Sequence, residues 1–112
     1  YTLPGVKINI LEGEDKGAGA YRMPVDHPGN LAATGILTQL YGKEPFVTRS
    51  GGSIPICGLF LKELQAYTVG FSFSYEDENL HSPNEFFRLD SLDKGQKGYV
   101  MLLHELAKTL KK

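Results

Sequence analysis

The chain has a single cysteine, Cys57, among its 112 residues. This excludes an internal disulfide framework and a cysteine-based structural zinc site. Cys57 itself reads as a small buried hydrophobe on a helix. Net charge is nearly absent, at −1. Apart from Lys108, Lys111 and Lys112, the basic residues are scattered, so the chain lacks the basic face that nucleic acid requires. No apolar run is long enough to span a bilayer. No signal peptide is visible, so the expected location is cytoplasmic, although the chain opens on Tyr1 rather than Met. Hydrophobic residues make up 41% of the chain, enough for a core and too many for a disordered polymer. The length suits one modest domain, and 13 Gly with 6 Pro point to many tight turns.

Along the chain, Gly5–Leu11 alternates Val6, Ile8 and Ile10 with Lys7 and Asn9, the pattern of a half-buried strand. Glu12–Tyr21, with three glycines among charges, has no period and reads as a linker. Pro28 keeps His27 out of the helical region, so Asp26 or His27 is placed to cap a helix over 28–41. That helix carries Ala33, Leu37, Leu40 and Tyr41 at helical spacing and is stopped by Gly42. Phe46–Thr48 reads as a short strand. A second helix starts near Ser53 with Pro55 in its first turn and a buried stripe of Ile54, Cys57, Leu61 and Leu64. Tyr67–Phe73 is the next strand. A last helix, capped by Asp90 or Ser91, places Leu92, Tyr99, Leu103, Leu106 and Leu110 on its apolar face, with Lys97, Glu105 and Lys108 solvated. Strands alternating with helices predict an α/β layer with parallel neighbours. In such a layer, loops leaving the carboxyl ends of strands form the ligand site.

Two loops meet that description. Arg49-Ser50-Gly51-Gly52-Ser53 would aim free backbone N–H groups and a helix dipole at one point beside the Arg49 cation, an anion site for carboxylate or phosphate. The plainer reading is a strand-to-helix turn with a serine cap and a surface arginine. The second loop, Glu76–Glu85, presents His81. Imidazole serves as a metal ligand or proton shuttle, though a loop histidine can equally be held by ordinary hydrogen bonds. One histidine cannot hold zinc, which needs about three protein ligands in a catalytic site. Glu76, Asp77, Glu78 and Glu85 are nearby, but not at a recognised ligand spacing. His27 and His104 read as a helix-entry residue and a helix-surface residue. A rival constellation is a serine-hydrolase triad of Ser53, Asp77 and His81, because Gly51-Gly52-Ser53-Ile54-Pro55 nearly matches a nucleophile elbow. Pro55 replaces its last glycine, and Asp77 stands only four residues from His81.

Arg49-Ser50-Gly51-Gly52-Ser53-Ile54-Pro55 followed by His81-Ser82-Pro83-Asn84-Glu85 closely resembles the C-terminal part of the M20 family of zinc metallopeptidases, best its carnosinase-like dipeptidase branch. Asp26-His27-Pro28, Tyr41-Gly42-Lys43-Glu44-Pro45, Phe87-Arg88-Leu89 and Leu103-His104-Glu105-Leu106-Ala107 fit the same frame. The resemblance implies the C-terminal part of a zinc-exopeptidase-type α/β/α catalytic domain, with one strand of an inserted lid domain at the N-terminus. The corresponding boundaries are 1–12 for the lid strand, 13–23 for a linker and 24–112 for the catalytic part. It implies two zinc ions in the intact parent, with His81 as one ligand. It also implies Arg49, Ser50, Gly51, Gly52 and Ser53 near a peptide or acyl-amino-acid substrate, and homodimerisation through the lid. Asn84 and Glu85 would shape the loop. The family's catalytic base and other metal ligands precede this segment, so the chain alone is expected to be inactive and to depend on the remainder of the catalytic domain. Ser50 stands where this branch commonly has Glu, which removes a charge that would meet a free amino end.

Overall fold

A computed structural model describes residues 3–9, 19–49 and 54–109. Three α-helices order the chain, α1 (Pro28–Tyr41), α2 (Pro55–Leu64) and α3 (Leu89–Thr109), with a short 3-10 turn at Glu76–Glu78. Among the described residues there is no strand, so the expected α/β architecture is overturned: the secondary structure here is helical. Residues 3–9 and 46–48 form no ladder; Ile10 and Leu11 lie outside the described residues.

The reason is visible in the segment 67–75. Its side chains alternate as a strand's would: Phe71 and Phe73 are buried, Val69 is half-buried, and Gly70, Ser72 and Ser74 face out. Alternation reports that one face is covered, not that a neighbouring strand exists. Here the neighbours are side chains. The Tyr21 hydroxyl donates to the Thr68 carbonyl at 3.0 Å and accepts from its N–H at 2.7 Å. The Tyr99 hydroxyl donates to the Phe71 carbonyl at 2.7 Å. Phe46, expected in a companion strand, is 95% exposed.

Local signals fix the ends of α1 as the sequence predicts. His27 is extended, its Nδ1 accepts from the Gly29 N–H at 3.1 Å, and Pro28 opens the helix, where a missing donor costs nothing. Gly42 closes it in the left-handed region at φ 69°. α1 packs on α3, and α2 packs on neither. The core is built from Ala33 and Ile36 of α1, Leu102 of α3, and the Phe71 and Phe73 rings between them.

α3 differs from its predicted face. Leu106 packs against the core as expected and Leu110 lies outside the described residues, but Leu92, Tyr99 and Leu103 are exposed, and the covered stripe is Ser91, Gly95, Gly98 and Leu102. Small residues win that side because the Phe73 ring lies against the helix backbone: a Cβ on Gly98 would come within 2.6 Å of its Cζ. α2 keeps only Cys57 fully buried, while Ile54 and Leu64, expected in its stripe, are 67% and 66% exposed. The Cα radius of gyration is 18.3 Å, against about 13 Å for a compact domain of this length, so segments of the chain extend beyond the packed core. No helix among the described residues is long and apolar enough to cross a membrane.

Candidate functional site

The turn that presents His81 is built on one carboxylate. Tyr75 leads into the 3-10 turn, and Glu78, at its third position, reaches back so that Oε2 accepts from the Tyr75 N–H at 2.9 Å, one half of a capping box. Glu78 Oε1 accepts from the Arg88 N–H at 3.2 Å and from Arg88 Nη1 at 3.1 Å. The Glu78 carbonyl accepts from the Phe86 N–H at 3.2 Å. Arg88 Nη2 donates to Asp77 Oδ2 at 2.7 Å, and the guanidinium lies 5.1 Å from the centroids of both the Tyr75 and Phe86 rings. The Glu78 side chain has no exposed surface.

These contacts set the electrostatics. Burial alone would raise the Glu78 carboxyl, but hydrogen bonds from the Tyr75 and Arg88 amides and from the Arg88 guanidinium outweigh it and hold its pKa below the usual value. The hydrogen bond from Arg88 holds Asp77 low as well, and Arg88 is raised in turn, chiefly by Asp77.

Between Glu78 and Phe86 the backbone turns left-handed three times, at Asn79 (φ 54°), His81 (φ 61°) and Asn84 (φ 62°). Ser82 donates its N–H and hydroxyl to the Asn79 carbonyl at 3.0 and 2.8 Å. Asparagine takes this region readily. Histidine, with asparagine and aspartate, is several-fold enriched there over other residues, so all three positions suit the residues that occupy them. Every residue from Asn79 to Phe87 is exposed, and the Phe86 ring rests against the Arg88 guanidinium. The His81 ring reaches solvent and makes no hydrogen bond among the described residues.

The His81 imidazole is thus accessible on a turn closed by the Ser82 and Phe86 backbone hydrogen bonds. The described residues do not assemble a metal centre. No group of three His, Cys, Asp or Glu among them could hold an ion, and Asp77 and Glu78 are engaged by Arg88. Arg49 is exposed in a stretch without regular secondary structure. Ser50, Gly51, Gly52 and Ser53 lie outside the described residues, and so does their expected meeting with His81. No Asp77–His81 hydrogen bond exists among the described residues, where a serine-hydrolase triad would need one. A cleft of about 280 Å³ lies elsewhere, lined by residues that include Tyr41, Phe46, Ser72, Phe73 and Tyr75, and takes in neither Arg49 nor His81.

The Glu78–Arg88 pair is the feature that residue patterns did not single out. Its one local signal is a Glu three positions after the entry residue Tyr75, at a site where Ser or Thr more often announces the motif.

The chain is similar to the Cys-Gly metallodipeptidase dug1 of Schizosaccharomyces pombe, with 36% identity over 69 residues. The match covers 62% of this chain and 14% of that protein, so this chain spans a small part of the relative's length. No family model matches the chain, and no solved structure does.

Proposed function

We propose that the chain is part of a zinc-dependent, M20-type metallopeptidase or amidohydrolase that cleaves dipeptides or N-acyl amino-acid amide bonds. The observation that carries this reading is the 36% identity to a metallodipeptidase. Residues 1–12 are assigned to a lid domain, 13–23 to a linker and 24–112 to the C-terminal part of the catalytic domain. The intact parent holds two zinc ions and pairs as a homodimer through its lid, in the cytoplasm.

Zinc supplies Lewis acidity and a more acidic bound water. This chain's own share is to offer the His81 imidazole as one ligand and, through Arg49 and the 50–53 turn, to hold the anionic end of the substrate. The catalytic base and remaining ligands belong to the rest of the parent, so the fragment alone is inactive. Ser50 offers no charge to a free amino end and favours acylated substrates.

The test uses the full-length protein. About two zinc ions per subunit, loss of Cys-Gly or N-acyl amino-acid hydrolysis on chelation, and loss of one ion's affinity in His81→Ala are expected. A metal-free parent without hydrolytic activity would leave a non-catalytic assembly role. Chelator-resistant activity blocked by a serine-directed acylating reagent would instead favour Ser53. Ser50→Glu should shift preference toward free dipeptides; an unchanged profile refutes the acyl preference.

A further inference from the structure

We propose that Glu78 is a positioning residue for His81: one buried carboxylate ties the entry of the turn to its exit and so sets where the imidazole points. This deepens the metallopeptidase reading and rests on it. Oε2 holds the Tyr75 amide and Oε1 holds the Arg88 amide, and these two residues are the mouths of the turn. The Arg88 guanidinium then locks the carboxylate from the exit side, between two rings that also sit at the mouths, Tyr75 and Phe86. Everything between, from Asn79 to Phe87, is exposed, so the aromatic core does not shape it. His81 sits at φ 61° between two left-handed asparagines, and the direction of its ring follows the span between Tyr75 and Arg88. Among the described residues, the carboxylate and the Phe86–Glu78 backbone bond supply the span. A charge-neutral amide at position 78 keeps the size but offers Arg88 a weaker acceptor and forces one –NH₂ toward a donor.

The experiment uses the full-length protein with Glu78→Gln, Arg88→Lys and, as reference, His81→Ala. Two readouts are taken: amide exchange of residues 79–86 against 99–106 in metal-free protein, and zinc affinity by chelator competition with the metal alone. Glu78→Gln should speed exchange of the Ser82 and Phe86 amides, the two in 79–86 that hydrogen-bond to the backbone, at least about tenfold with 99–106 unchanged, and weaken zinc by about 10–100-fold, the range for residues that orient a ligand. Arg88→Lys keeps the charge and loses the fork, and should move both readouts the same way by less. It also covers the case in which Glu78→Gln fails to fold. Unchanged exchange at 79–86 in both variants overturns the proposal, as does faster exchange with undiminished zinc affinity; in these two cases, a His81→Ala protein that has lost affinity leaves the metallopeptidase reading standing. If His81→Ala also binds zinc normally, that reading fails together with this one.

Discussion

The segment from Val69 to Arg88 is held by opposite means in its two halves. Val69, Phe71 and Phe73 are fixed by apolar packing between α1 and α3. The Phe71 ring stands edge-on to both Phe73 and Tyr99, at centroid distances of 5.1 and 5.3 Å. From Tyr75 onward the support is the Arg88 guanidinium, paired with the Asp77 and Glu78 carboxylates. Apolar packing is non-directional and carries no titrating group. A carboxylate clamp is directional, titrates, and can open without unfolding what lies beside it. One half therefore carries the stability of the packed body, and the other sets the shape of a turn that contributes little to it.

Substitutions can break this contrast, and the largest effect should come from the core. Phe73→Ala removes the ring shared by α1 and α3 and should cost about 3–5 kcal/mol, read as a shift in equilibrium unfolding. A loss confined to the turn would mean that the two halves are not separately held. Gly98→Ala drives a methyl into the Phe73 ring and should cost about 1–3 kcal/mol; a neutral result would show that α3 can slide. Tyr99→Phe deletes the bond to the Phe71 carbonyl and should cost about 1 kcal/mol, again in global unfolding.

Acid should have the smallest global effect and the sharpest local one. Asp77 and Glu78 both lie below their usual pKa. Their contribution is therefore complete above the ordinary carboxylate range of about 4 and is lost as pH falls through the lowered folded values. Backbone shifts of residues 79–86 should change in that window while those of residues 99–106 hold. Concerted change in both sets would erase the distinction between the halves.

Local features were legible in the sequence and long-range ones were not. Pro28 and Gly42 mark the ends of α1, and Pro55 marks the start of α2, because caps act within one turn of chain. Cys57 is buried as its residue type suggests. Tyr67–Phe73 reads as a strand because burial alternates from Val69 onward, yet Thr68 and the Phe71 carbonyl meet tyrosine hydroxyls where a strand was expected. The face of α3 was misread because leucines outweigh glycines on any hydrophobicity scale, whereas a ring pressed on the backbone selects Gly95 and Gly98. His81 was legible as a presented loop residue. Its support was not, since Glu78 lies in a run of acids that looks uniformly solvated until Arg88, ten residues on, is folded against it.

The notch at Gly98 also turns α3 into a ruler. Arg88 grips the turn just before the helix begins, and Gly98 receives the Phe73 ring ten residues later, a rise of about 15 Å. Inserting one residue between them would rotate the downstream helix by about 100° and bring a side chain where the ring needs bare backbone. The count from clamp to notch therefore cannot vary.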